Sequence, residues 1–154
     1  MNNLDIMVPN DKHKIELFTK CNPKLVEILV KLHGFCLKQL PSPKGPRFPL
    51  VTCTWRSLAE QKAIDDSIVA SQPNYKPQGS GSLHVWGNAL DLSVKDQFGK
   101  PFDDRELAGI ITFVDETFPY NYNRISSIYR HVGTADHLHV QVNMRQHGSG
   151  CSPE

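Results

Sequence analysis

Histidines close to carboxylates mark two places in this sequence where chemistry could occur. In residues 82–91, His84 precedes Asp91, and residues 136–139 contain two histidines and one aspartate. Each stretch lies at the mouth of a predicted β-strand, where the sheet would fix the side chains. Two neutral imidazole nitrogens and one carboxylate oxygen form the ligand set of hydrolytic zinc sites, in which a fourth position stays open for water. The two stretches therefore predict a hydrolytic metal centre.

The residues beside these histidines strengthen that prediction. Gly87 and Ala89 remove side-chain bulk where the backbone would pass close to a metal ion or a substrate. Asp91 lies in a strand otherwise rich in alanine, leucine and valine, where burying an unpaired carboxylate would be costly. A bound metal ion would compensate that charge.

The elements that must position these residues are predicted as alternating helices and strands. Apolar residues at helical spacing and capping signals predict three helices, at residues 23–40, 57–71 and 103–118. Runs of β-branched and apolar residues predict four strands, at residues 48–55, 89–94, 126–132 and 138–142. The short connection between the last two strands favours an antiparallel pair. We therefore expect an α+β fold: a small, mostly antiparallel sheet flanked by about three helices, with the zinc site at the strand ends.

Length and composition limit the class of protein. The 154 residues suit a single domain, with residues 1–20 as an N-terminal extension and residues 145–154 as a flexible tail. A net charge of +1 argues against a dedicated nucleic-acid binder. No apolar run approaches the roughly 20 residues that span a bilayer. No secretory signal is visible, so we expect synthesis in the cytoplasm, and we expect a monomer.

The four cysteines form no C-x-x-C pair, so neither a zinc knuckle nor a thioredoxin-type motif is expected. Reduced thiols are expected instead. Cys53 lies in an apolar, alternating stretch and is predicted to be a small hydrophobic residue of the core.

The pattern S-x-H-x-x-G-x-A-x-D at residues 82–91, followed by D-x-x-H at 136–139, closely resembles the zinc peptidases that cleave bacterial peptidoglycan peptides. Residues 54–61, Thr-Trp-Arg-Ser-Leu-Ala-Glu-Gln, are similar to that family's Gly-Tyr-Arg-Ser-x-x-x-Gln segment. The resemblance covers roughly residues 23–143 in the family's order. It implies Zn²⁺-dependent hydrolysis of an amide bond in the peptidoglycan stem peptide. The absent export signal favours a phage-type lytic L-alanyl-D-glutamate endopeptidase, released late to act on the cell wall, over a D-alanyl-D-alanine carboxypeptidase.

The resemblance also implies roles for individual residues. It makes His84, Asp91 and His139 the metal ligands. Asp136 would be the general base, taking a proton from the attacking water and returning it to the leaving amine. Arg56 would hold a substrate carboxylate or the developing oxyanion. Substrate contacts are expected from three further residues: Ser82, Gln61 and His137.

Three alternatives stay open at this point. His137 forms an H-x-H pair with His139 and could compete as a metal ligand instead of touching substrate. Two histidines and one carboxylate also form the facial triad of non-haem Fe(II) oxygenases. Finally, the chain could be a non-catalytic protein on the same fold that keeps the metal and binds cell wall or a protein partner.

Overall fold

The protein contains a four-stranded antiparallel sheet. The computed structural model describes residues 4–118 and 136–142, and residues 126–131 as backbone alone. The helices are α1 (Asp11–Thr19), α2 (Pro23–Gln39), α3 (Leu58–Ser71) and α4 (Asp104–Thr117), with a short 3-10 turn at Gly79–Gly81. The strands are β1 (Pro49–Cys53), β2 (Ala89–Asp96), β3 (Ser126–His131) and β4 (His137–Val142). Their spatial order is β1-β2-β4-β3, and every neighbouring pair is antiparallel. The predicted α+β class is confirmed.

Capping residues begin three of the helices where the sequence indicates. The Ser57 side chain accepts from the backbone N–H of Glu60, and the Glu60 carboxylate accepts from the Ser57 N–H, which completes a capping box at α3. Asp103 and Glu106 form the same reciprocal pair at α4. Asn22 caps α2, whose first residue is proline. Each of these predicted helices is present.

Helix α1 was not predicted, because its apolar residues do not form an inward-facing stripe. Only Glu16 and Leu17 of this helix are buried, whereas Ile15 and Phe18 are exposed. The segment that precedes α1 nevertheless contributes Leu4 and its neighbours to the core. The part of residues 1–20 that the structure describes is therefore packed into the domain, whereas the predicted tail at 145–154 lies outside the described residues.

The two faces of the sheet have different roles. On β4, Leu138, Val140 and Val142 are buried in the core, and the intervening histidines and Gln141 are half-buried on the other face. Helices α2 and α4 supply much of the core that covers the apolar face. Helix α3 and the loop after it border the polar face. No helix in the described part of the chain is long and apolar enough to cross a bilayer.

A buried arginine fixes the end of β2. The Arg47 Nε donates to Asp96 Oδ2 at 2.6 Å, and its Nη1 donates to Glu106 Oε2 at 2.5 Å. Asp96 Oδ1 accepts from the backbone N–H groups of Phe98 and Lys100. Since burying a charge is costly unless it is paired, this network holds β2 to the start of α4.

Candidate metal centre

Three histidines surround one oxygen of Asp91. The Oδ1 atom of Asp91 lies 3.2 Å from Nε2 of His84, 3.2 Å from Nδ1 of His139 and 3.5 Å from Nε2 of His137. A carboxylate only accepts hydrogen bonds, and the unprotonated nitrogen of a neutral imidazole does the same. Each close approach therefore requires a proton or a cation between the two atoms. The donor set suits a metal ion such as Zn²⁺.

Strand register explains why these side chains meet. Asp91 of β2 pairs directly with His139 of β4 on one side and with Cys53 of β1 on the other. Side chains of directly opposed residues lie on the same face of a sheet. Cys53, Asp91 and His139 therefore form a row across three strands. The turn before β2 adds His84 to this row.

A backbone carbonyl fixes the tautomer of His84. Its Nδ1 lies 2.8 Å from the carbonyl oxygen of Thr54, which can only accept, so Nδ1 carries the proton. In the neutral imidazole the lone pair is then on Nε2, the nitrogen that faces Asp91. A second hydrogen bond, from the backbone N–H of Arg56 to the His84 carbonyl, ties this turn to the segment after β1. The arrangement orients His84 as a ligand in the way that metal-binding histidines usually are oriented.

The predicted ligands meet at Asp91 but fall into two sets. The ligand atoms of Cys53, His84 and Asp91 lie within 4.8 Å of one another, and so do those of Asp91, His137 and His139. His84 and His139 approach each other with ring centroids 5.3 Å apart and nearly perpendicular planes. The chain therefore has groups of Cys, His and Asp residues that could hold a metal ion, with Asp91 common to both.

Cys53 is a site residue that the sequence analysis placed in the core. It is half-buried, lines the cleft above the sheet, and has its Sγ 3.6 Å from Nδ1 of His84. That prediction was wrong for this residue. A cysteine at a strand end, one residue before the segment that carries Arg56, is the signal that could have identified it.

Arg56 connects Asp91 to helix α3. Its Nη2 lies 3.5 Å from Asp91 Oδ2, and its Nη1 donates to the Gln61 side-chain carbonyl at 3.0 Å. Gln61 in turn donates from Nε2 to Asp65 at 3.0 Å. Gln61 and Asp65 are both buried. Asp65 was not identified from the sequence, although its position four residues after Gln61 places both on one face of the helix.

Asp65 also anchors the loop that borders the cleft. Its Oδ1 accepts from the Tyr75 hydroxyl, and its Oδ2 accepts from the backbone N–H of Gly79, each at 3.0 Å. Burial acts to raise the pKa of Asp65, but the hydrogen bonds from this loop and from Gln61 outweigh it and hold the pKa below its ordinary value. Asp65 is therefore an ionised carboxylate on α3 that is hydrogen-bonded to the loop after this helix.

The pKa values of Asp91 and His84 are strongly shifted by their contacts with each other and with their neighbours. Burial acts to raise the pKa of Asp91, but hydrogen bonds with His139 and His84 and the nearby histidine charges hold that pKa far below its ordinary value. Burial acts to lower the pKa of His84, but its hydrogen bond with Asp91 and its contact with Cys53 raise the pKa to about 9. These shifts favour a protonated His84 beside an ionised Asp91, so a metal ion that binds at His84 Nε2 competes with a proton.

A cleft of about 1100 Å³ lies above this cluster. Asp136 is exposed and lies immediately before β4, as expected for a residue in the loop that precedes the strand. The cleft also has apolar and cationic side chains in its wall. It brings together all the predicted site residues: Arg56, Gln61, Ser82, His84, Asp91, Asp136, His137 and His139.

Gly87 has a different role from the one that the sequence suggested. Its φ is +71°, a conformation that favours glycine, and a Cβ atom there would lie 2.0 Å from the carbonyl oxygen of Lys20. Its own carbonyl accepts from the backbone N–H of Asn22 at 2.7 Å. The missing side chain therefore makes room for the junction between α1 and α2, and not for a metal ion or a substrate.

Comparison with known proteins adds no relatives: no protein-family model matches the chain, and no curated protein or solved structure shows a significant match.

Proposed function

We propose that this protein is a zinc-dependent peptidase that hydrolyses an amide bond in peptidoglycan stem peptides, as an endopeptidase of the L-alanyl-D-glutamate type. The observation that carries the proposal is the convergence of three imidazole nitrogens on one buried carboxylate oxygen at the base of a large cleft. The substrate class follows from the motif resemblance at residues 54–61, 82–91 and 136–139.

The residues present fit a zinc ion. His84, Asp91 and His139 would hold it, since each offers a nitrogen or oxygen of the kind that zinc binds and Asp91 Oδ1 lies 3.2 Å from a nitrogen of each histidine. His84 and His139 belong to different ligand sets, so their rings must move closer together to share one ion. Ligand atoms at the corners of a zinc tetrahedron lie about 3.3 Å apart, given bond lengths near 2.0 Å. When bound, zinc supplies Lewis acidity, which polarises a carbonyl group and makes a nearby water more acidic.

Asp136 is the proposed general base. It is exposed, lies in the wall of the cleft and directly precedes the strand that carries His137 and His139. From there its carboxylate would accept a proton from the attacking water and pass it to the nitrogen of the leaving amine. Proton transfer of this kind needs a carboxylate near the reacting groups, and Asp136 lines the same cleft as the proposed ligands.

The rest of the cleft suits an anionic peptide. Arg56 and Lys95 supply positive charge, and Ile64 and Ile68 of α3 supply apolar surface. Pockets for small ligands usually occupy about 300–1,000 Å³, so a cleft of about 1100 Å³ has room for several residues of a peptide. Stem peptides carry free carboxylates, which a guanidinium binds well.

The test is digestion of purified peptidoglycan by the full chain, with and without a chelator, followed by mass analysis of the released fragments. We expect fragments that stop appearing when the metal is removed and return when Zn²⁺ is added. The masses identify the bond. Absence of fragments from the zinc-loaded protein would overturn the proposal.

Two matched variants separate catalysis from binding. Asp136→Asn should abolish fragment release while zinc stays bound. Asp66→Asn, which changes an exposed aspartate paired with Lys62 on α3, should leave release unchanged. Full hydrolysis by Asp136→Asn would refute the role of the base, and cell-wall binding without hydrolysis by the unaltered chain would favour the non-catalytic alternative.

A further inference from the structure

We propose that Cys53 binds the metal ion of this centre as a thiolate ligand, together with His84 and Asp91. The inference rests on the proposed metal centre and adds a ligand that the family resemblance does not include. With four protein ligands, the ion would bind water by expanding to five-coordinate, as catalytic zinc can. It starts from the cluster of Cys53, His84 and Asp91, whose ligand atoms lie within 4.8 Å of one another.

The distances are close to those of a formed site. Cys53 Sγ lies 3.6 Å from Nδ1 of the His84 ring, the nitrogen that donates to Thr54. Asp91 Oδ1 lies 3.2 Å from Nε2, the nitrogen that would bind the ion. Tetrahedral zinc with bonds of about 2.3 Å to sulfur and 2.0 Å to nitrogen keeps a sulfur and a nitrogen ligand about 3.5 Å apart. In the structure the ligand atoms of the three residues lie within 4.8 Å of one another. Movements of about an ångström would therefore bring the three ligand atoms around one ion at that spacing.

The backbone holds Cys53 in this position. It is the last residue of β1, and its Cα pairs with that of Asp91 on β2. Besides His84, its sulfur approaches the Thr54 carbonyl at 3.8 Å, an oxygen that already accepts from His84 at 2.8 Å. A sulfur with such weak contacts, facing a histidine and a carboxylate, is well placed to bind a metal.

Charge favours the thiolate. A divalent ion beside Asp91 also lies close to Arg56, whose Nη2 is 3.5 Å from the same carboxylate. With Asp91 as the single anion, the ion and the guanidinium leave an excess of two positive charges, and a thiolate reduces that excess to one. Because charges at such separations in a partly buried site interact strongly, the second anion stabilises the bound ion.

The same reasoning favours one ion over two. Ions in both ligand sets would place two divalent charges on one carboxylate, next to Arg56. Two such ions would repel each other and the guanidinium more strongly than a single ion would repel the guanidinium. A single ion anchored from the β1 side by Cys53 leaves His137 and Asp136 on the cleft side for substrate.

The test uses Co²⁺ alone as the probe, bound to the full chain. A cobalt–thiolate bond gives a charge-transfer absorption in the near ultraviolet that imidazole and carboxylate ligands do not give. We expect this band in the unaltered protein, its loss in Cys53→Ser, and its retention in Cys151→Ser. Its absence from the unaltered protein, or its persistence in Cys53→Ser, would overturn the inference.

A second measurement covers the case in which Cys53→Ser does not fold. In the unaltered protein, alkylation of Cys53, followed by peptide mass analysis, should be suppressed by stoichiometric Zn²⁺, whereas a thiol that is not a ligand would react at the same rate with and without metal. These readouts are independent of peptidoglycan hydrolysis. Hydrolysis without the cobalt band would refute Cys53 as a ligand but support the proposed function. The cobalt band without hydrolysis would support Cys53 as a ligand but refute the proposed function.

Discussion

Substitution of Gly87 by alanine tests how the turn that carries His84 is supported. Two effects act at this position: the backbone has φ of +71°, and a Cβ atom would lie 2.0 Å from the Lys20 carbonyl oxygen. Gly99 provides a matched control, because its φ is +81° but a Cβ atom there would have no neighbour within 4 Å. Both variants incur the left-handed strain, and only Gly87→Ala adds the steric clash.

The magnitudes follow from these two terms. The left-handed conformation costs an alanine about 1–2 kcal/mol, which both variants share. To relieve the clash at Gly87, the backbone must move by more than an ångström, and this breaks the hydrogen bond from Asn22 N–H to the Gly87 carbonyl. Leaving such buried groups unpaired costs about 1–3 kcal/mol. We therefore expect Gly87→Ala to lose about 1–3 kcal/mol more stability than Gly99→Ala.

Urea unfolding followed by circular dichroism measures both free energies of unfolding. Zinc affinity provides a second readout, since Gly87 lies three residues after His84 and its displacement moves that side chain. We expect weaker zinc binding in Gly87→Ala and unchanged binding in Gly99→Ala. Equal stability losses in the two variants would show that the close approach to Lys20 does not constrain the turn.

Three further outcomes follow from the charged residues. Arg56→Lys should lower the rate of peptide hydrolysis, because an ammonium group cannot make the forked contact of a guanidinium. Steady-state kinetics measures this rate, and an unchanged rate would show that Arg56 does not contact the substrate. Asp65→Asn should lower the free energy of unfolding in urea by at least about 2 kcal/mol, because it removes the charge-assisted hydrogen bonds that the buried Asp65 carboxylate accepts. An unchanged free energy of unfolding would show that these bonds do not stabilise the fold. For Asp96, burial acts to raise the pKa, but Arg47 and backbone donors hold it below its ordinary value. The ionised Asp96 therefore stabilises the fold fully at a pH above the pKa of the unfolded chain, about 3.9, and this stabilisation is lost as the pH falls through the lower pKa of the folded state. Asp96→Asn should consequently lose less stability on acidification than the unaltered chain.

Local sequence signals predict the framework of the site well. The capping boxes at Ser57 and Asp103 fix the starts of α3 and α4, because the cap and its partner lie within one helical turn. The alternation in β4 places His139 opposite the core face, since side chains alternate along any regular strand. These features depend on residues that are close in sequence, which is why a single sequence is enough to predict them.

Contacts between distant segments are harder to predict. The need for glycine at position 87 arises from Lys20, 67 residues earlier in the chain, and no local pattern connects the two. Helix α1 presents few apolar residues to the core and therefore lacks a periodic signal. Its packing becomes evident only when the turn at Gly87 and the start of α2 are seen together.

Cys53 shows how strand pairing can override a local pattern. In a regular strand, Val51 and Cys53 would point to the same face, and Val51 is in the core. The pairing of β1 with β2 is irregular between these residues: Val51 pairs with Leu92, but Cys53 pairs with Asp91, so two steps on β1 match one step on β2. A one-residue change of register reverses the face that a side chain occupies, and Cys53 thereby joins the cleft with Asp91. The irregularity that defeats the sequence prediction is the same feature that brings the thiol to the candidate metal centre.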